Sequence, residues 1–344
     1  MAGFFQLTGL IGKGVDMRIS KKGGIAVFTA AAAVLAAVII IHQNLDPGVD
    51  PRQELIKKIL SCTVILLSCI LFAKGYDKFT TLPVELFQSR HLIWKLAKND
   101  FKKRYAGSYL GAVWALAQPV VTVAMYYIVF DKIMGNQVNR GTGDIPFVLF
   151  LTAGLVPWFY FNEALNSGTN AMLEYNYLVK KVVFKISILP LIKIIGATFI
   201  HAFFVGVLLI VAAVYGYYPT VYTLQLLYYS GCLFIFVLAL SYTTCAVVVF
   251  FRDLAQIINI ALQIGMWATP ILWSIDGLNG KWVIILKLNP LVYIVNGYRS
   301  AICEREWFFQ DFFSTMYFWI VTVVLFGIGA AVFKRLKVHF ADVL

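Results

Sequence analysis

Apolar runs about as long as a bilayer is thick, separated by short polar and basic segments, set the pattern of this chain. A helix rises about 1.5 Å per residue, so crossing the hydrocarbon core takes about 20 residues. Residues 25–41 form the first run and are rich in Ala, Val and Ile. A polar loop carrying Asp46, Pro47, Asp50 and Pro51 follows. Residues 56–73 make a second run, with Lys57 and Lys58 placed to snorkel at its start. Together they predict a helical hairpin. Further spans are predicted at 109–130, 145–161, 186–215, 224–251, 254–273 and 312–333. The expected architecture is an all-α polytopic membrane protein with about eight transmembrane helices. Two belong to an N-terminal extension (1–85) and six to a body (109–344).

Three stretches depart from the simple alternation. At 100° per residue, His91, Lys95, Lys98 and Lys102 share one side of a helix, and Ile93, Ala97, Phe101 and Tyr105 share another. Arg90 and Arg104 intrude on the apolar arc, and Asp100 is the single acid between them. Six Lys/Arg with Trp94 among them predict an amphipathic helix at the membrane interface, within 86–108. Next, Asn162, Asn166 and Asn170 recur every four residues, with Glu163 beside them. Such a stripe faces a cavity or partner helix if it lies in the bilayer, and is a solvated face if the helix has left it. Last, residues 274–311 are too polar for a span and too apolar for a loop. Asn289-Pro290 predicts a helix start, with an N-cap followed by proline at N1. Leu291, Ile294, Val295 and Tyr298 give that helix an apolar face, so it is expected to dip into the membrane without crossing.

Composition sharpens this picture. The 344 residues are 60% hydrophobic and 13% charged, with mean hydropathy +0.80. A soluble domain is nearer one-quarter charged. The net charge of +12 does not call for nucleic acid, because membrane proteins gather Lys and Arg on cytoplasmic loops facing anionic lipid. Basic segments at 90–104, 180–185 and 334–337 place both termini in the cytoplasm. Lys281, Lys287, Arg299 and Arg305 then fall on the outer side, against that rule. Lys13, Arg18, Lys21 and Lys22 before the first run resemble a signal peptide. The run is long for one and lacks a small-residue cleavage site, so an uncleaved span is expected.

Candidate chemistry is sparse. Of the five cysteines, Cys62, Cys69, Cys232 and Cys245 sit in apolar runs, and none forms a CxxC pair with another or with Cys303. The four histidines are scattered, and His201 is expected to be a packed, hydrogen-bonded residue. There is no P-loop, since GLIGKG has the wrong spacing, and no GxSxG. No catalytic residue, metal site or cofactor is therefore expected in this chain. Aromatic residues make up 16% of it. They serve interface belts and packing, or an aromatic-lined route, since sugar rings offer apolar C–H faces and hydroxyl edges to Trp and Tyr.

Six stretches, in order, carry a resemblance: DFKKRYAGSYLGAVWALAQP (100–119), AGLVPWFYFNEALNSGTN (153–170), YLVKKVVF (177–184), FFRDLAQI (250–257), ATPILW (268–273) and LNPLVYIVNGYRSAI (288–302). The body from about residue 86 resembles the permease subunit of ABC-2-type exporters. Within that family it is similar to the branch that exports O-antigen, capsule or teichoic acid on a polyprenyl-pyrophosphate carrier. The resemblance implies a homodimer paired with two separate ATPase subunits, which bind ATP and Mg, in the bacterial inner membrane. It implies that Arg90, Lys95, Lys98, Asp100, Phe101, Lys102 and Arg104 belong to the interface helix where a lipid-linked substrate is received. A coupling helix near 174–185, with Glu174, Tyr177, Lys180 and Lys181, would dock on the ATPase. Arg252 and Asp253 would form an inner turn. An outer gate at 274–302 would involve Pro270, Asn289, Pro290, Tyr293, Tyr298 and Arg299. A pore between protomers, lined by the first and fifth body spans, makes Trp114, Tyr126, Tyr127, Phe130, Trp267 and Trp273 candidate aromatic lining.

The first 85 residues depart from the family's six-span plan, and a hairpin there could brace the substrate's way in, recruit a partner or aid insertion. An ABC-2 exporter of a lipid or small molecule, and an integral-membrane glycosyl- or acyltransferase, are the alternatives. The transferase would want inward-facing acids or histidines, and the chain offers little beyond Glu163, Asp100 and His201. Reversing charge with Lys180→Glu and Lys181→Glu is expected to uncouple ATP hydrolysis from export in the assembled transporter. Unchanged export per ATP hydrolysed would remove these lysines from coupling.

Overall fold

The structure, a computed structural model, describes residues 21–41, 51–104, 113–133, 145–180, 185–275 and 280–344. Every element among them is helical. The chain divides into two units, Met1–Gln88 and Ser89–Leu344.

In the first unit, α1 (Lys21–Ile41) packs on α2 (Pro51–Gln88). The Phe28 and Phe72 rings stack at 4.0 Å. Gly24 admits the Tyr76 ring so closely that a Cβ would clash with its hydroxyl. The predicted hairpin is present as a helix pair, but α2 is longer than its apolar run and continues through Pro83. Within it, Ser61–Tyr76 is the apolar stretch, shorter than a full span. Backbone hydrogen bonding does not stop where hydropathy does, so a polar tail extends the helix.

The second unit starts with α3 (Arg90–Arg104). Next, α4 (Val113–Tyr127) runs into a π-helical turn, Ile128–Ile133. The long α5 (Phe147–Glu174) and the single-turn α6 (Asn176–Val179) follow. A 3₁₀ turn, Ile186–Ile188, opens α7 (Leu189–Val214). Another, Val221–Leu224, capped by Thr220 and Thr223, opens α8 (Gln225–Val248). Then come α9 (Leu254–Ala268), α10 (Gly280–Lys287) and α11 (Pro290–Arg299). The chain closes with α12 (Phe312–Leu336) and the short α13 (Phe340–Val343).

This is a multi-pass, all-α membrane protein. Among the described residues, Lys21–Ile41, Phe147–Glu174, Ile186–Val214, Val221–Val248 and Phe312–His339 are long and apolar enough to cross a bilayer. Leu254–Ala268 is a shorter apolar helix. The predicted span at 109–130 is described only from Val113. α10 has 8 residues, and α11 has 10 and runs on into a π-helical turn of 5, Ser300–Glu304; at about 1.5 Å per residue or less, both are too short to cross. The predicted start of α11 is present: Asn289 Oδ1 accepts the Leu291 N–H at 3.1 Å, with Pro290 in the first turn.

The core of the second unit lies where α5, α7, α8 and α12 meet, with α11 against them. Lipid tails are as apolar as leucine, so close packing rather than water exclusion holds such helices together. Small residues set the approach. Gly168 of α5 faces Ser241 of α8, and Gly329 of α12 faces the Ala239 carbonyl. Pro157 sits within α5, as membrane helices tolerate where neighbours re-satisfy the freed backbone. By contrast, α4 and α9 present exposed apolar side chains, among them Val121, Met125, Ile260 and Ile264.

A Cβ at Gly329 would lie 2.8 Å from the Ala239 carbonyl oxygen, which is fixed backbone, whereas Gly231 faces open space. Gly329→Ala is expected to destabilise the protein by about 1–3 kcal/mol, and Gly231→Ala to stabilise it slightly, by up to about 1 kcal/mol. Thermal unfolding in detergent checks this; equal shifts for the two would contradict the packing described.

Candidate functional site

Three polar clusters join elements of the second unit. The first lies at the end of the bundle where α5 finishes and α7 begins. There, α3 turns Ile93 and Ala97 inward and leaves His91, Lys95, Lys98 and Lys102 exposed, as its periodicity predicts. Phe199 of α7 receives the Trp94 and Phe101 rings edge-on, both at 5.5 Å. Asp100 also points inward. Its Oδ1 takes the Lys193 ammonium at 2.9 Å and the Tyr175 hydroxyl as a second donor. Lys193 meets Glu174 Oε2 at 2.6 Å and sits 4.8 Å from the centre of the Tyr175 ring. The Lys193 and Asp100 side chains are 10% and 16% exposed, so solvent screens them little. Burial first, and then the Asp100 carboxylate, raise the Tyr175 phenol above its ordinary range. It therefore stays protonated and donates.

The second cluster holds the chain at the other end of α5. Arg299 is 4% exposed. Its Nη2 donates to the Ile271 carbonyl at 2.9 Å and its Nε to the Phe150 carbonyl at 3.3 Å. The guanidinium lies 3.4 Å from the centre of the Phe150 ring, a cation–π arrangement. Gly154 makes the room, since a Cβ there would meet Nη2 at 3.1 Å. Nearby, Asn289 Nδ2 donates to Thr269 Oγ1 at 3.0 Å. The break after α9 is thus tied to both ends of α11. Arg299, read from sequence as an outer cation, is an internal brace.

The third cluster sits between them. His201 Nε2 lies 2.9 Å from the Tyr298 hydroxyl and 3.1 Å from Ser230 Oγ, and those two oxygens are 2.6 Å apart. The Tyr160 ring stacks on the imidazole at 4.5 Å, with its hydroxyl 2.9 Å from Thr198 Oγ1. His201 is packed among hydroxyl groups, as its sequence context predicts. Beyond it on α5, the asparagine stripe bonds along its own helix. Asn166 donates to Asn162 Oδ1 and Asn170 to the Asn166 carbonyl, both at 3.0 Å.

The remaining predicted residues do not gather into one cluster. Trp114 and Trp267 are 57% and 68% exposed. Tyr126, Tyr127 and Trp273 are half-buried. Trp273 Nε1 donates to the Trp267 carbonyl at 3.2 Å, which brings these two together. Arg90, Tyr177, Lys180, Arg252 and Asp253 are exposed, and Pro270 is buried. Tyr293 reaches the Tyr228 and Thr315 hydroxyls at 3.2 and 3.0 Å. Lys181 and the side chains of Arg104 and Phe130 lie outside the described residues.

Sequence reasoning passed over two features. One is Lys193 as the partner of Asp100. A lone lysine in an apolar run and a lone acid in a basic one were the signal, because a charge at membrane level needs a partner. The other is a stripe on α9. Ile258 and Leu262 are its buried positions, and Gly265 packs on Trp158. On the opposite side, Gln256 and Gln263 are exposed in line with Trp267, with half-buried Asn259 beside them.

The profile described as "ABC-2 type transporter" matches residues 91–303. The O-antigen export system permease protein RfbA of Myxococcus xanthus is 28% identical over 260 residues, 75% of this chain and 97% of its own length. A protein of the same name from Klebsiella pneumoniae is 27% identical over 256 residues, 74% and 95% of the two chains. The polysialic acid transport protein KpsM of Escherichia coli is 25% identical over 241 residues, 69% and 90%.

Arg299→Met would strip the Phe150 and Ile271 carbonyls of a charged donor inside the fold. The expected loss is about 1–3 kcal/mol for each bond left unmade. Arg299→Lys recovers only part, since an ammonium lacks the guanidinium fork. Exposed Lys287→Met is expected to stay within about 0.5 kcal/mol. If thermal unfolding in detergent shows no difference between Arg299→Met and Lys287→Met, the brace is not structural.

Proposed function

Because the chain belongs to the ABC-2 type transporter family, we propose that it is the membrane permease of an exporter for a polyprenyl-linked polysaccharide. The observation that carries this reading is the extent of likeness: polysaccharide-export permeases match over 90–97% of their own length. The substrate would be an O-antigen or capsule-like glycan, carried outward across the bacterial inner membrane. In this reading two copies pair, two separate ATPase subunits supply ATP and Mg, and both termini face the cytoplasm.

Several features support it. The exposed lysines of α3, beside an exposed Trp94, suit the headgroup level of a membrane. Each cation near an anionic surface contributes about 1 kcal/mol. A pyrophosphate-linked lipid offers the same attraction, and its glycan would begin its passage here. The segment 174–185 would meet the ATPase, with Tyr177 and Lys180 exposed to do so. The turn at Arg252–Asp253 faces the same side. The short helices α10 and α11, braced by Arg299 and Asn289, would form the outer gate in 274–302.

The route itself would run along the exposed faces of α4 and α9. Exposed amides on a membrane helix are costly against lipid. Gln256 and Gln263 would instead meet glycan hydroxyl groups, while Trp114, Trp267 and the other aromatic candidates meet the apolar faces of sugar rings. No group transfer occurs in this chain. ATP binding and hydrolysis by the partner would bias the pore between two states, which requires that the partner bind those states with different affinity.

Deleting the gene tests this. Undecaprenyl-linked glycan is expected to accumulate on the cytoplasmic side, and the permease to co-purify with a P-loop ATPase. A purified protein that bound no ATPase, or a deletion strain with no accumulated carrier-linked glycan, would overturn the reading.

A further inference from the structure

The Asp100 cluster joins segments that a transport cycle has to move in step. Glu174 is the last residue of α5, and Tyr175 is the turn that leads into the segment 174–185. Lys193 lies in the first turns of α7, where that segment returns to the bundle. Both arms of the segment are therefore bonded to one acid on the amphipathic helix α3. The remaining contacts of α3 with α7 are apolar, the edge-on Trp94 and Phe101 rings on Phe199 and the buried Ile93 and Ala97, and apolar burial is non-directional. A charge-assisted hydrogen bond is directional and shorter, so the Asp100 contacts fix the angle of α3 against α5 and α7. Asp100 accepts two donors from two different elements at one oxygen, and Lys193 bridges it to Glu174.

We propose that Asp100 is a positioning residue: with Lys193, Glu174 and Tyr175 it forms a clamp that carries displacement of the turn and short helix at 174–180 to α3. The helix that receives the lipid-linked substrate then moves as one body with the segment that meets the ATPase. This rests on the exporter reading above. The clamp makes the cationic face of α3 change position only when the partner does, so substrate is gripped in phase with ATP turnover.

The test uses the full permease–ATPase complex in proteoliposomes. Asp100→Asn and Lys193→Met are each expected to lower glycan exported per ATP hydrolysed by about ten-fold, the size of an ordinary coupling free energy. Combining them should cost no more than the larger single effect, because both break one interaction. Asp100→Glu and Lys193→Arg keep the charges and should retain most of the ratio. Tyr175→Phe removes one donor and leaves the ion pair, so it should fall between. It also serves if Asp100→Asn does not fold.

An independent readout needs no glycan. Spin labels at Lys102→Cys and Tyr177→Cys, both exposed positions, are introduced in a chain whose five native cysteines are replaced by alanine. With Asp100 intact, the distance distribution is expected to be the same with and without ATP. With Asp100→Asn, or with Tyr175→Phe to a lesser degree, ATP should broaden or split it. Unchanged distances and unchanged export per ATP in these variants would overturn the clamp. If the distances respond as stated but no glycan moves, the substrate reading fails and the clamp stands.

Discussion

Inside a bilayer no polar group can be handed to water, and the second unit is arranged around that constraint. Its helices meet the backbone's demand internally, and its side chains meet theirs across helices. Arg299 is held by carbonyls of two other segments. His201, Ser230 and Tyr298 close a small ring of mutual bonds. The asparagines of α5 bond to the turn before them. In the core, Thr152 and Thr322 bond to carbonyls of their own helices, Arg299, His201 and Tyr298 bond across to other segments, and the Ser241 hydroxyl, packed against Gly168, has no bonding partner among the described residues. Arg299 and Asn289 hold α11 at its two ends, and Asp100 holds α3 against α7.

Where that constraint is not met within one copy, the surface carries information. On α9 the buried positions and the glutamine stripe lie on opposite sides, and α4 exposes both aliphatic and indole side chains. Lipid alone suits the aliphatic part of such surfaces and not the amides. The polar stripe therefore calls for water, a second copy or a passing substrate, and the pore reading supplies all three.

Much of the fold was legible in the residues. The 3.6-residue period separated the two faces of α3, and Asn289-Pro290 marked the start of α11. Of the eight apolar runs, five coincide with helices long and apolar enough to cross a bilayer among the described residues, and those at 56–73 and 254–273 coincide with shorter apolar helices. What was not legible is pairing over distance. Asp100 and Lys193 are 93 residues apart, and Arg299 and Phe150 are 149 apart. No local pattern encodes which lone charge meets which. Arg299 shows the consequence: counted along the chain it offends the positive-inside rule, yet its charge is sequestered. The continuation of α2 past its apolar run was missed for a different reason, since hydropathy reports depth in the membrane rather than helix length.

The Arg299 brace also bears on how the protein is made. Phe150 emerges from the ribosome 149 residues before Arg299, which is about 7–30 s at ordinary synthesis rates. Its carbonyl is not idle meanwhile. A helical carbonyl already accepts one bond from its own helix and keeps a second lone pair. α5 can thus enter the membrane satisfied, with Gly154 holding open the space beside that lone pair. Arg299 arrives last, with both carbonyl partners already synthesised. The order of synthesis places the acceptors ahead of the cation, so the costly partner reaches a berth built before it.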